Sequence, residues 1–126
     1  VKDAYTCRRL LEQNGWFPNG SDFPVENINP LYGFYAAVSR QDQKGFPAAG
    51  FHPEEAITRE QALQAMTIWA AKAAFEENRK GSLEPGKLAD FIVTAEDLMH
   101  TPKEKLYAIS IQETWSAGEQ VYQLSE

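Results

Sequence analysis

The sequence has little of what builds a self-contained metal or redox centre. One cysteine, Cys7, and two histidines, His52 and His100, are all it offers. No internal disulfide can form, and no His-Glu-x-x-His or Cys-x-x-Cys spacing exists. Glycines occur singly, which excludes a phosphate-cradling glycine-rich loop, and no Ser-His-Asp set can be argued. No run of roughly 18 apolar residues and no secretory h-region is present, so no membrane partner is expected. Positive charge is also short: 12 Lys plus Arg stand against 18 Asp plus Glu, for a net charge of −6. The average face repels phosphate polymers and anionic lipids, so nucleic acid is not an expected partner. Few cysteines and no leader point to a reducing, cytoplasmic setting.

What is present is an ordinary soluble composition: 126 residues, 43% hydrophobic and 24% charged. That is the length of one domain and the balance of a globular chain. Initiator Met is missing, and Val1-Lys2-Asp3-Ala4-Tyr5 already reads like the interior of a helix. The expectation is a piece of something longer.

Periodicity divides the chain. Apolar spacing predicts a helix over residues 2–14, closed by Gly15 in the left-handed C′ position. Trp16-Phe17-Pro18-Asn19 is short and apolar and predicts a strand over 16–19. Asn29-Pro30 is an N-cap followed by the ring at the first helical position, opening a helix over 30–43. Residues 44–57 read as a long loop. Thr58-Arg59-Glu60-Gln61 is a capping box for a helix over 59–77. Beyond Gly81 the pattern turns to strands, with a type II turn at Glu84-Pro85-Gly86-Lys87 and a strand over 88–94. A helical turn near 102–105 and a last hairpin over 109–124 complete the reading.

Two local features invite chemistry. His52-Pro53-Glu54-Glu55 can be drawn as a ligand pair, or read as a loop histidine beside solvated acids, the commoner case. Asp22, in Gly20-Ser21-Asp22-Phe23-Pro24-Val25-Glu26, follows the expected strand at its carboxyl end, where α/β architectures place catalytic groups. From local pattern it reads more readily as the acceptor that closes a turn.

The blocks Gly20-Ser21-Asp22-Phe23-Pro24-Val25-Glu26, Asn29-Pro30-Leu31-Tyr32-Gly33, Ala36-Ala37-Val38-Ser39-Arg40-Gln41, Thr58-Arg59-Glu60-Gln61-Ala62-Leu63 and Gly81-Ser82-Leu83-Glu84-Pro85-Gly86-Lys87-Leu88-Ala89-Asp90, in this order, resemble the C-terminal end of the YtcJ-like branch of the amidohydrolase superfamily. The resemblance implies an α/β fold: the last strand and flanking helices of a (β/α)₈ TIM barrel in residues 1–80, and part of a composite β-sandwich in 81–126. It implies a metal-dependent hydrolase of non-peptide or cyclic amide C–N bonds. It also places Asp22 beside a divalent metal, by expectation zinc, as the acceptor of a proton from the attacking water.

The family's His-x-His pair and its other metal-binding residues have no counterpart here, and a barrel needs about 200 residues or more. Under the resemblance this chain is a fragment, inert alone and holding no metal alone. Its partners are then the missing N-terminal part of the barrel and a small-molecule amide. Phe34, Tyr35 and Trp69 are expected to lie uncovered and to make the isolated chain oligomerise. The alternative is a non-catalytic binding or assembly module derived from the barrel segment.

Overall fold

A computed structural model describes residues 3–125 as four α-helices, two 3₁₀ segments and one small antiparallel sheet. The helices are α1 (Cys7–Asn14), α2 (Pro30–Ser39), α3 (Arg59–Met66) and α4 (Ile68–Ala73); the strands are β1 (Phe91–Thr94), β2 (Ile111–Ser116) and β3 (Glu119–Gln123).

The helix ends follow local chemistry. Gly15 takes φ 78° and returns its N–H to the Leu11 carbonyl, so α1 stops where a left-handed residue is available. It starts later than its spacing predicts: residues 3–5 form a turn, and Lys2, the expected start, lies outside the described residues. Asn29 caps α2, its Oδ1 accepting from Leu31 N at 3.0 Å. The helix ends at Ser39 rather than Gln43 because Arg40 turns left-handed, with φ 59°. Thr58 and Gln61 form the reciprocal capping box of α3, at 3.1 and 2.9 Å.

The helix expected over 59–77 is broken. At Thr67 the backbone leaves helical values, with φ −122° and ψ −95°, and the hydroxyl donates back to the Leu63 carbonyl at 2.6 Å. Such back-bonding offers the chain an alternative to the helical ladder. α4 then ends at a Schellman-type close: Phe75, at φ 59°, donates to Lys72 O and Glu76 donates to Ala71 O. Gly81 does not close this helix. It presses on it, since a Cβ there would stand 2.7 Å from Ala71 Cβ and 2.9 Å from Ile68 Cα.

Residues 16–19 are not a strand. A strand exists through its ladder, and no parallel neighbour is found among the described residues; one bond, Asn19 N to Ala65 O at 2.9 Å, ties the segment to α3. Phe17 is buried there, its ring tilted against Trp69 at 6.2 Å.

The core gathers Leu31, Phe34 and Tyr35 of α2, Ala62 and Ala65 of α3, and Leu106 and Ile109 from the connection between β1 and β2. That connection carries the 3₁₀ segment Lys103–Ala108, whose Tyr107 meets Tyr35 edge-on at 5.2 Å. Phe34 and Tyr35 are therefore covered, and Trp69 is half-buried. Bare apolar surface lies instead on Phe23, Val25 and Ile28 of the loop before α2, on Phe46, Phe75 and Leu83, and on Val121 and Tyr122 of the sheet.

The sheet runs β1-β2-β3. Phe91 stands opposite Trp115, and the rings stack at 5.5 Å. The β2–β3 turn is Ala117-Gly118, with φ 50° and 85°, the sign a type I′ hairpin needs at both positions. Lys87 N reaches Glu84 O at 3.1 Å with Gly86 at φ 92°, which is the expected type II turn.

An ion pair clips α1 to the 3₁₀ turn Pro53–Glu55. Buried Glu55 accepts from Arg9 Nε at 2.6 Å and from Arg9 N at 3.2 Å. Burial alone raises the Glu55 pKa, but the backbone and guanidinium hydrogen bonds of Arg9 outweigh it, so the carboxyl lies below its usual 4.5. A carboxyl depressed on folding stabilises the fold above its unfolded pKa and loses that contribution as pH falls through the folded value. Glu55→Gln is thus expected to lower stability at pH 7 and to flatten the loss of stability below pH 4.5, read from urea titrations across pH.

Glycine substitutions test the close approach at α4. Gly15→Ala, where nothing lies within 4 Å, is expected to cost about 1 kcal/mol of left-handed strain alone. Gly81→Ala adds a clash to the same strain and is expected to cost about 3 kcal/mol. Urea midpoints of the two variants give the comparison.

Candidate functional site

The loop after residues 16–19 is positioned at both ends. Asn19 is held to α3 through Ala65, and Asn29 starts α2, its N–H donating to Asn27 Oδ1 at 2.9 Å. Between them Asp22 adopts φ 54°, the left-handed region that non-glycine residues seldom occupy. Its carbonyl accepts from Val25 N at 2.9 Å, which closes the turn. The turn is thus made by the Asp22 backbone, not by its side chain. Among the described residues no hydrogen bond or ion pair reaches the carboxylate, which is exposed.

Beside the loop lies an open cleft of about 610 Å³. One wall is Asn19, Gly20 and Ser21 with the Tyr32, Gly33 and Ala36 face of α2; the other is formed by Arg40, Phe46, Pro47 and Phe51. Glu26 and Asn27 also line it, whereas Asp22 does not. The structure therefore brings Ser21 and Glu26 to the cleft and sets Asp22 outside it.

Arg40 is the residue that motif reasoning left unremarked. It is only 8% exposed. Its Nε donates to Phe51 O at 2.9 Å, and Nη1 faces Cys7 Sγ at 3.9 Å. Burial raises the Cys7 thiol pKa, with the Arg40 charge opposing, so this thiol is not an activated one. In sequence Arg40 stands directly after an apolar helix, inside the Ala36-Ala37-Val38-Ser39-Arg40-Gln41 block that carries the family resemblance.

No three His, Cys, Asp or Glu side chains come together among the described residues. His52 Nδ1 lies 2.9 Å from Glu54 Oε1, while Glu55 turns away to Arg9, so His52 and the two acids are not one ligand set. His100 pairs with Asp97 at 2.6 Å. No helix among the described residues is long and apolar enough to cross a membrane.

Comparison with known proteins agrees along the whole chain. The model of the amidohydrolase family matches residues 1–122. LONG AFTER FAR-RED 3 of Arabidopsis thaliana is 40% identical over 97% of this chain and 20% of its own length. The putative amidohydrolase YtcJ of Bacillus subtilis is 26% identical over 99% of this chain and 24% of its own length. The N-substituted formamide deformylase of Arthrobacter pascens is 28% identical over 90% and 20%. The chain thus spans a fifth to a quarter of the length of these relatives. The crystal structure of an amidohydrolase from Thermotoga maritima superposes on 95% of the chain and 26% of that structure, with a TM-score of 0.66 at 21% identity, so the fold is shared as a part of that architecture. On the match from residue 1 to 122, the chain belongs to the amidohydrolase family.

Proposed function

We propose that this chain is the C-terminal segment of a metal-dependent amidohydrolase that hydrolyses a non-peptide C–N bond, of an amide or cyclic amide, and that Asp22 accepts a proton from the attacking water. In this reading residues 1–80 end a (β/α)₈ barrel, and 16–19 become its last strand once a neighbouring strand is supplied. Residues 81–126 are part of a β-sandwich. The intact protein acts on a small molecule in the cytoplasm. Its divalent metal, zinc in this reading, is held mainly by donors outside the described residues, with Asp22 this chain's contribution.

The observation that carries the reading is Asp22 itself. Its backbone sits at φ 54°, and its carboxylate engages no other group among the described residues. Family membership and the deformylase relative support the reaction class. The share of each relative covered, 20 to 24%, supports a chain that is inert by itself.

Asn keeps the size of Asp but cannot take the proton. Asp22→Asn in the full-length enzyme is expected to lower kcat by at least about 10²-fold, the lower end for loss of a general base, with the fold retained. The measurement is turnover and metal content of the two proteins on an amide that the wild type accepts. A near-wild-type kcat would leave Asp22 a turn residue and overturn its role as the base.

The bare apolar residues yield a second expectation. Side chains such as Val121 of the sheet, at 61% exposure, and Phe75 after α4, at 93%, are expected to make the isolated 126-residue chain self-associate, because apolar patches above a few hundred Å² are seldom left open in monomers. Light scattering over a concentration series reads this, and a monodisperse monomer throughout would contradict it.

A further inference from the structure

The guanidinium of Arg40 is buried with its hydrogen-bonding capacity only partly used. Nε donates to Phe51 O at 2.9 Å, and the Phe51 N–H returns a bond to Arg40 O at 2.7 Å. The Phe51 ring lies 6.0 Å from Cζ. These contacts hold the group by its inner edge. At the other edge, among the described residues, Nη1 has only the Cys7 sulfur, at 3.9 Å, and Nη2 is buried with no partner. Thiol sulfur is a weak acceptor. Buried polar groups are almost always satisfied, and buried charges are paired. The nearby acid does not serve, because Glu55 is taken by Arg9.

We propose that Arg40 binds a carboxylate at this cleft, end-on through Nη1 and Nη2. Parallel donors on one planar edge match two carboxylate oxygens. A phosphate fits less well. Arg40 follows the C-terminus of α2, where the carbonyl ends carry partial negative charge, and Glu26 and Asp42 also line the cleft. One oxygen of Asp42 is occupied by the N–H groups of Lys44 and Phe46, at 2.8 and 2.9 Å. A single cation in such surroundings balances one negative charge better than two. The cleft volume, about 610 Å³, is that of a small-ligand site, and Tyr32, Phe46 and Phe51 along it suit an apolar or aromatic body behind the carboxylate.

The carboxylate has two possible sources, a small molecule in the cleft or an Asp or Glu side chain of the protein beyond these residues. The inference rests on the proposed function only in treating the cleft as part of a larger enzyme. Its test does not use turnover, so its failure is distinct from a failure at Asp22.

The experiment is calorimetric titration of the full-length protein with phenylacetate and with its neutral isostere phenylacetamide, for the wild type, Arg40→Gln and Arg40→Lys. With a ligand source, phenylacetate binds the wild type at least about tenfold more tightly than phenylacetamide. Arg40→Gln loses that preference, and Arg40→Lys, which keeps the charge without the fork, retains part of it. Should Arg40→Gln fail to fold, the Lys variant carries the comparison. With an internal source neither compound is preferred, and a crystal structure of the full-length protein shows an Asp or Glu oxygen within hydrogen-bond distance of Nη1 or Nη2. No preference together with no carboxylate at either nitrogen overturns the proposal.

Discussion

The two-sided placement of α2 is the constraint on which the rest of this chain depends. Leu31, Phe34 and Tyr35, spaced i, i+3, i+4, are buried against α3 and the 3₁₀ segment that carries Leu106. Small residues make the approach possible: Ala37, Ala62 and Ala65 leave no bulk between the helices. The opposite face, Tyr32, Gly33 and Ala36, lines the cleft, and Arg40 faces it from just past the helix end. A rigid helix thus transfers the order of the core to the cleft. The same helix anchors the Asp22 loop, because its cap, Asn29, is where that loop ends.

Signals that act within a few residues were legible in the sequence. Asn29-Pro30, the Thr58–Gln61 box, Gly15 after α1 and the Gly86 turn depend on local donors, acceptors and φ, and each appears where its residues stand. Signals that depend on distant contact were not. The apolar spacing across residues 59–77 is helical throughout, yet the helix breaks at Thr67, where the chain at Gly81 comes against Ile68 and Ala71. Residues 16–19 have strand-like composition, but a ladder needs a neighbour, and composition says nothing about whether one is present.

The candidate site divides in the same way. Asp22 could be singled out because a short motif and a resemblance converge on it, and the structure adds the left-handed backbone and the free carboxylate. Arg40 could not. Its significance comes from Phe51, eleven residues on, and Cys7, thirty-three residues back, and no periodicity joins those three positions. An arginine after an apolar helix reads as an ordinary surface cation until its burial is known. The long loop over 44–57 is what buries it, so the segment with the weakest pattern carries part of the site.

The sheet and the helical part differ in how they are held. No residue of β1, β2 or β3 is fully buried; the sheet stands on ladder bonds, the Phe91–Trp115 stack and half-buried Ile111 against the core, and three strands with so little cover are marginal by themselves. The helical part encloses its own core. The two are joined by the β1–β2 connection, which sends Leu98, Met99, Leu106 and Ile109 into that core, and by the Arg59 guanidinium donating to Leu98 O at 2.9 Å. Dependence therefore runs both ways: the sheet leans on the helical core through its own connection and Ile111, and α2 is covered in turn by Leu106 and Ile109 of that connection.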